Sequence, residues 1–196
     1  MKIFDCFMFY DEELLLDIRM NILNEFVDHF VIVESKYFHN GKERKLKFDI
    51  NKYSRFKEKI IYIIQDRPPD GLKLINLSDN EGEKSYKLIF NAHLREHSQR
   101  NYIERGLVNS EENDMILISD VDEIPDLRNI NLKKINNKLI LFEQEIFYYK
   151  LNRHLQNFTW FGTKACKKKY LESPQWLREI KNKNYPFFRI DTFFSK

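Results

Sequence analysis

Three acids within four residues, Asp120, Asp122 and Glu123, directly follow the apolar run Met115-Ile116-Leu117-Ile118-Ser119. A strand alternates its side chains between two faces, so Asp120 and Asp122 can point one way while Val121 turns to the core. Two carboxylates on one side form half of a site for a hard divalent cation, which prefers oxygen ligands. Substrate phosphates and water would complete the shell, and the cation would neutralise a diphosphate leaving group. A bare Asp-x-Asp is also a common strand-ending turn. The apolar strand before it, the third acid and the strand-end position favour the chemical reading.

A second motif competes. His93-Leu94-Arg95-Glu96-His97 matches H-x-x-E-H, and on a helix His93 and His97 lie one turn apart with Glu96 beside them. A zinc peptidase would need a third ligand from another element, and none is marked downstream. The residues that follow, Gln99, Arg100 and Asn101, are polar donors better suited to a nucleotide or sugar.

The elements that position these residues are legible as apolar runs. Lys2–Tyr10, Phe30–Val33, Ile60–Ile64 and Met115–Ser119 read as buried strands, and Leu139–Phe142 with Phe147–Tyr149 as a further strand or hairpin. Asp11-Glu12-Glu13 suits a helix N-terminus, followed by Leu15, Ile18, Ile22, Leu23 and Phe26 at helical spacing. His93–Leu107 reads as a second helix with Gly106 as its stop, whereas residues 72–92 read as a loop. Strands alternating with helices imply an α/β fold, a mainly parallel sheet with helices on both faces. Ligands of such sheets bind at the carboxyl ends of the strands, here the loops after Tyr10, Val33 and Ser119. No glycine-rich phosphate loop is present.

Size and charge narrow the classes. The 196 residues suit one domain, and 42% hydrophobic with 15% aromatic content argues against disorder. Lys+Arg (33) nearly cancel Asp+Glu (30), leaving +3, which is not the clustered basic excess of a nucleic-acid binder. Lys167-Lys168-Lys169 reads as a solvated face, with phosphates or an anionic membrane as its second reading. Two cysteines, Cys6 and Cys166, are too few for a disulfide framework or a zinc ribbon. The charged N-terminus does not resemble a signal peptide, and no run reaches the roughly 18–20 apolar residues of a membrane span. The expectation is a cytoplasmic chain, at most peripheral to a membrane.

At Asp120-Val121-Asp122-Glu123-Ile124-Pro125 the chain resembles glycosyltransferase family 17. The likeness extends to Asp5-Cys6-Phe7 with Glu13-Leu14 and Arg19, to Val27–Ser35, and to Gly41 with Lys45–Phe48. It continues through Gln99-Arg100-Asn101 with Gly106-Leu107, Phe147–Asn152 and Trp160-Phe161-Gly162-Thr163, so that ordered blocks cover most of residues 3–165. The resemblance implies a GT-A-like (Rossmann-like) fold over 1–196, a UDP-sugar donor such as UDP-GlcNAc, Mn²⁺ (or Mg²⁺), and inversion at the anomeric carbon. It implies metal ligation by Asp120 and Asp122 and donor contacts from Asp120, Arg100 and Asn101. Glu34, at a strand's carboxyl end, either accepts from uracil or ribose or bonds to nearby backbone or Arg19. Glu143 and Glu145 are the best candidates for the general base that inversion requires, with Asp126 and Glu123 as alternatives. Tyr149 and Trp160 are candidates for stacking on a glycan or polysaccharide acceptor. Family members continue into a Trp-His segment, whereas this chain stops at Phe193-Phe194-Ser195-Lys196. That departure keeps a second expectation open, a shortened domain that binds the nucleotide sugar without transferring it.

Overall fold

The computed structural model describes residues 1–149, 152–156 and 158–181. Lys150 and Leu151 of the resemblance and the chain end Phe193–Lys196 lie outside them. Six strands form one sheet in the order β3-β2-β1-β4-β6-β5. β1 (Ile3–Phe9), β2 (His29–Ser35), β3 (Ile60–Gln65) and β4 (Met115–Ser119) are parallel neighbours. β6 (Trp160–Lys167) runs antiparallel to β4, and β5 (Leu139–Gln144) antiparallel to β6 at the edge.

The parallel strands are apolar on both faces because helices cover both. Ile3, Phe7, Phe9 and Leu117 face α1 (Glu13–Leu23), which buries Leu16, Met20 and Leu23 against them. Phe4, Cys6, Val31, Ile116 and Cys166 face the other way, onto Ile103 and Leu107 around α3 (Ile103–Gly106) and Leu177 of α4 (Pro174–Glu179). Alternation along β1 turns Asp5 toward α1, and there it meets Arg19.

Two expectations change and one is sharpened. The span read as a loop up to residue 92 holds the first half of α2 (Glu81–Asn101), which opens on a reciprocal capping box between Asn80 and Glu83. Gly106 does end α3 as expected, without a positive φ; a Cβ there would lie 2.4 Å from Val31 Cγ1, so glycine lets α3 press onto β2. Phe147–Tyr149 is no strand: Phe147 makes an isolated bridge to His154, and β5 pairs with β6 instead. Among the described residues no helix is long and apolar enough to cross a membrane.

Candidate active site

The chain leaves β1 toward β2 on one side and returns in β4 on the other, which opens a crevice at their carboxyl ends. A cleft of about 580 Å³ lies there, within the size range of small-ligand sites. All three expected loops line it: Tyr10 and Glu12 after β1, Tyr37–Asn40 and Arg44 after β2, and Asp120–Asp122 after β4. β4 ends at Ser119, so a turn closed by Glu123 N on the Asp120 carbonyl, not strand alternation, buries Val121 in the core and leaves both aspartates lining the cleft.

Arg19 shapes this acidic loop from below. Its side chain is fully buried, pairs with Asp5 at 2.6 and 2.8 Å, and donates to Ser119 Oγ at 2.5 Å. Nη1 donates to the carbonyls of Asp120, Val121 and Glu123 at 3.0, 3.2 and 3.0 Å. One guanidinium thereby fixes the turn on which the acids stand.

The two aspartates differ. Asp120 accepts from Arg100 Nη2 at 3.2 Å and from Arg178 Nη2 at 2.8 Å. Burial opposes its ionisation, yet Arg178 and Arg100 outweigh burial and hold the carboxyl below its ordinary range. Arg178 shows the converse: burial works against its charge, but Asp120 and Glu123 outweigh it and raise its pKa. Asp122 is exposed on the cleft and, among the described residues, its carboxylate has no hydrogen-bond or ion-pair partner. Also among the described residues, no three His, Cys, Asp or Glu side chains gather into a complete metal cage. A cation completed by substrate phosphates does not need one, and a single carboxylate suffices to start it. Asp122 fits that role, whereas two guanidiniums compete with a cation for Asp120.

The remaining candidates fall in different places. Glu34 is buried and not presented to the cleft: it accepts from Lys47 N, Phe48 N and Tyr62 Oη at 2.7, 3.0 and 2.8 Å. Its ion-pair partner is Arg44 at 3.0 Å rather than Arg19, so burial and saturation make it a structural group. Arg100 is also buried and reaches the site through Asp120, while bonding Gln175 and Glu96. Asn101 Oδ1 accepts from Gln175 N at 2.9 Å and ties α2 to α4, away from the cleft. Glu143 and Glu145 are exposed at the end of the edge strand and do not line the cleft, but Gln144 pairs with Trp160 and so brings them beside that residue. Trp160 donates its indole N–H to Glu123 at 2.7 Å, and Tyr149 is largely exposed, edge-on to Tyr148, with a positive φ of 61°. His93 and His97 have ring centroids 6.1 Å apart, and Glu96 and Glu179 are their ion-pair partners among the described residues, at 3.9 and 3.8 Å.

Arg178 and Lys164 escaped the sequence reading. Ser173-Pro174 marks the start of α4: Ser173 Oγ accepts from Trp176 N at 3.0 Å and proline takes the first helical turn. That signal locates a helix but not the partner of its arginine. Lys164, inside β6, donates to the Arg178 carbonyl, and burial with Arg178 nearby lowers its pKa to about 8.

Strand order and the position of the cleft place the chain in the Rossmann-like, GT-A class of folds. It matches the model of glycosyltransferase family 17 over residues 1–176, most of its length, and belongs to that family. It is 27% identical over 151 residues to beta-1,4-mannosyl-glycoprotein 4-beta-N-acetylglucosaminyltransferase from Homo sapiens, and equally to that from Rattus norvegicus. The match covers 74% of this chain but 25% of each relative, so the chain spans about a quarter of their length. Family membership removes the basis for the zinc peptidase reading of His93, Glu96 and His97.

Proposed function

We propose that the chain moves a sugar, most directly N-acetylglucosamine, from a UDP-sugar to a glycan or polysaccharide acceptor, with inversion and with Mn²⁺ or Mg²⁺ bound. The observation that carries this is Asp122, a carboxylate without a partner among the described residues, lining a cleft that also presents the aromatic rings of Tyr10, Tyr37 and Phe38 and the guanidinium of Arg44. The named relatives are N-acetylglucosaminyltransferases, which supports the choice of sugar.

Asp122 would hold the cation, with Asp120 behind it as an anion kept in place by Arg100 and Arg178. The cation, when bound, supplies charge neutralisation for the departing diphosphate. Tyr10, Phe38 and Arg44 also line the cleft and offer surfaces on which a flat base can stack; the guanidinium carbon of Arg44 lies 4.3 Å from the Tyr10 ring centre. An acceptor sugar on Trp160 would lie beside Glu143 and Glu145, the candidates for removing its hydroxyl proton.

The test is UDP-GlcNAc turnover with Mn²⁺ in wild type and Asp122→Ala. Loss of on the order of a hundredfold or more in kcat/KM is expected in the variant. Absence of both binding and turnover in wild type, with no effect of the substitution, would sink the proposal. Binding of Mn²⁺–UDP without turnover would instead select a donor-binding domain that does not transfer.

A further inference from the structure

Glu123 joins three parts of the molecule. Its Oε1 accepts from Trp160 Nε1 at 2.7 Å and from Arg178 Nη2 at 2.8 Å, and its Oε2 from the backbone N of Asp120 at 2.9 Å. Its own carbonyl accepts from Arg19 Nη1 at 3.0 Å and Thr163 Oγ1 at 2.9 Å. The residue is only 9% exposed, while the indole it holds is 38% exposed. A carboxylate engaged in this way on both oxygens is poorly placed to serve as a base or a metal ligand. β6 is shaped around it as well. A Cβ at Gly162 would stand 2.7 Å from Glu123 Cδ and 2.4 Å from Gln144 Oε1.

We propose that Glu123 is a positioning residue that holds Trp160 as a preset stacking platform for the acceptor sugar, in fixed register with the Asp120–Asp122 loop. The proposal rests on reading the chain as a sugar transferase. An indole face matches the C–H face of a pyranose ring, and an indole already held by its N–H has less rotamer freedom to lose on binding. The Arg178 guanidinium, 5.8 Å from the Trp160 ring centre, braces the same indole while it pairs with Asp120. Loss of the bond between Glu123 and the indole should therefore fall on the acceptor.

The chain has two tryptophans, so Trp176→Phe leaves Trp160 as the single emitter. In that background Glu123→Ala should shift the emission to longer wavelength and increase acrylamide quenching. Glu123→Gln, whose amide oxygen still accepts from the indole, should leave both near wild type. This readout needs neither metal nor substrate. A folded Glu123→Ala protein with unchanged emission and quenching overturns the proposal. With UDP-GlcNAc and a mannose-terminated oligosaccharide, Glu123→Ala should raise the acceptor KM about tenfold, and Glu123→Gln by less than about threefold.

If far-UV circular dichroism shows that Glu123→Ala does not fold, Trp160→Phe replaces it. That variant keeps an aromatic ring but lacks the N–H, and should raise the acceptor KM about tenfold without changing the donor KM. Equal acceptor KM values in wild type and Trp160→Phe would overturn the proposal. If wild type neither binds Mn²⁺–UDP nor turns over the donor, the transferase reading fails and takes the acceptor role with it, while a fluorescence shift would show that Glu123 still positions Trp160.

Discussion

Arg19→Met offers the sharpest test of how the site is held. Arg19 and Asp5 are both fully buried, and the five N–H groups of the guanidinium are spent on Asp5, Ser119 Oγ and three carbonyls of the acidic turn. Removing one partner of a buried pair costs about 3–5 kcal/mol, because the other is left charged without compensation. Small domains have roughly 5–15 kcal/mol of stability in total, so urea denaturation should show a large drop in midpoint at unchanged slope. The double variant Asp5→Leu with Arg19→Met removes both charges and should regain the part of that loss due to the uncompensated carboxylate. It cannot restore donors to the carbonyls of Asp120, Val121 and Glu123, each bond having contributed about 1 kcal/mol. Amide exchange across residues 119–124 should therefore stay accelerated in the double variant, and Mn²⁺–UDP affinity should stay about tenfold down. A single variant within about 1 kcal/mol of wild type would refute the reasoning, as would a double variant whose turn exchanges at the wild-type rate.

Other outcomes follow from the same contacts. Gly106→Ala should destabilise by about 1–3 kcal/mol in thermal or urea unfolding, since its Cβ would stand 2.4 Å from Val31 Cγ1 on a rigid strand. Gly162→Ala should weaken turnover more than stability, because the new methyl displaces the side chains of Glu123 and Gln144 rather than backbone. Lys164 has a pKa lowered to about 8 by burial and Arg178, against 10.5 for an ordinary lysine. Between those values the unfolded chain keeps a proton that the folded chain has released. Stability should accordingly rise with pH through this window, with a slope below about 1.4 kcal/mol per pH unit. Lys164→Met should flatten that rise in pH-dependent denaturation; an unaltered slope would reject the assignment.

The parts of the fold legible from sequence are those where burial on both faces wrote a continuous apolar run. β1 to β4 were read within about two residues of their ends; Val121 is buried as expected, but in a turn beyond β4 rather than by strand alternation. β6 was not read as a strand because its centre is polar. Thr163 and Lys164 are buried there only by virtue of partners at Glu123 and Arg178, distant in sequence. The first half of α2 lacked a clean apolar stripe, with Tyr86, Leu88 and Ile89 all exposed, although Asn80 and Glu83 carried a capping signal in plain view. Glu34 stayed open between ligand and structure on sequence alone. A strand-end glutamate looks alike in both roles until Arg44, Tyr62 and two backbone amides are seen around it.

That limit applies most strongly to the acidic motif itself. In sequence Asp120, Asp122 and Glu123 are three similar acids, and their spacing invites a shared metal role. The fold brings Arg100 from α2 and Arg178 from α4 to the first and Arg178 with Trp160 to the third. Two of the motif's negative charges are thus matched by protein cations before any ligand arrives, and the second aspartate stands as the motif's one acid without a partner among the described residues. A dication binding there meets one carboxylate rather than a fully protein-made cage, so phosphate oxygens are required to hold it firmly. Mn²⁺ alone should therefore bind weakly and gain affinity when UDP is added, and by thermodynamic reciprocity UDP should gain the same factor from Mn²⁺. Calorimetric titration of each in the presence and absence of the other measures that coupling. Asp122→Asn should abolish it. A metal affinity independent of UDP would mean that Asp120 leaves its arginines to complete a cage of its own.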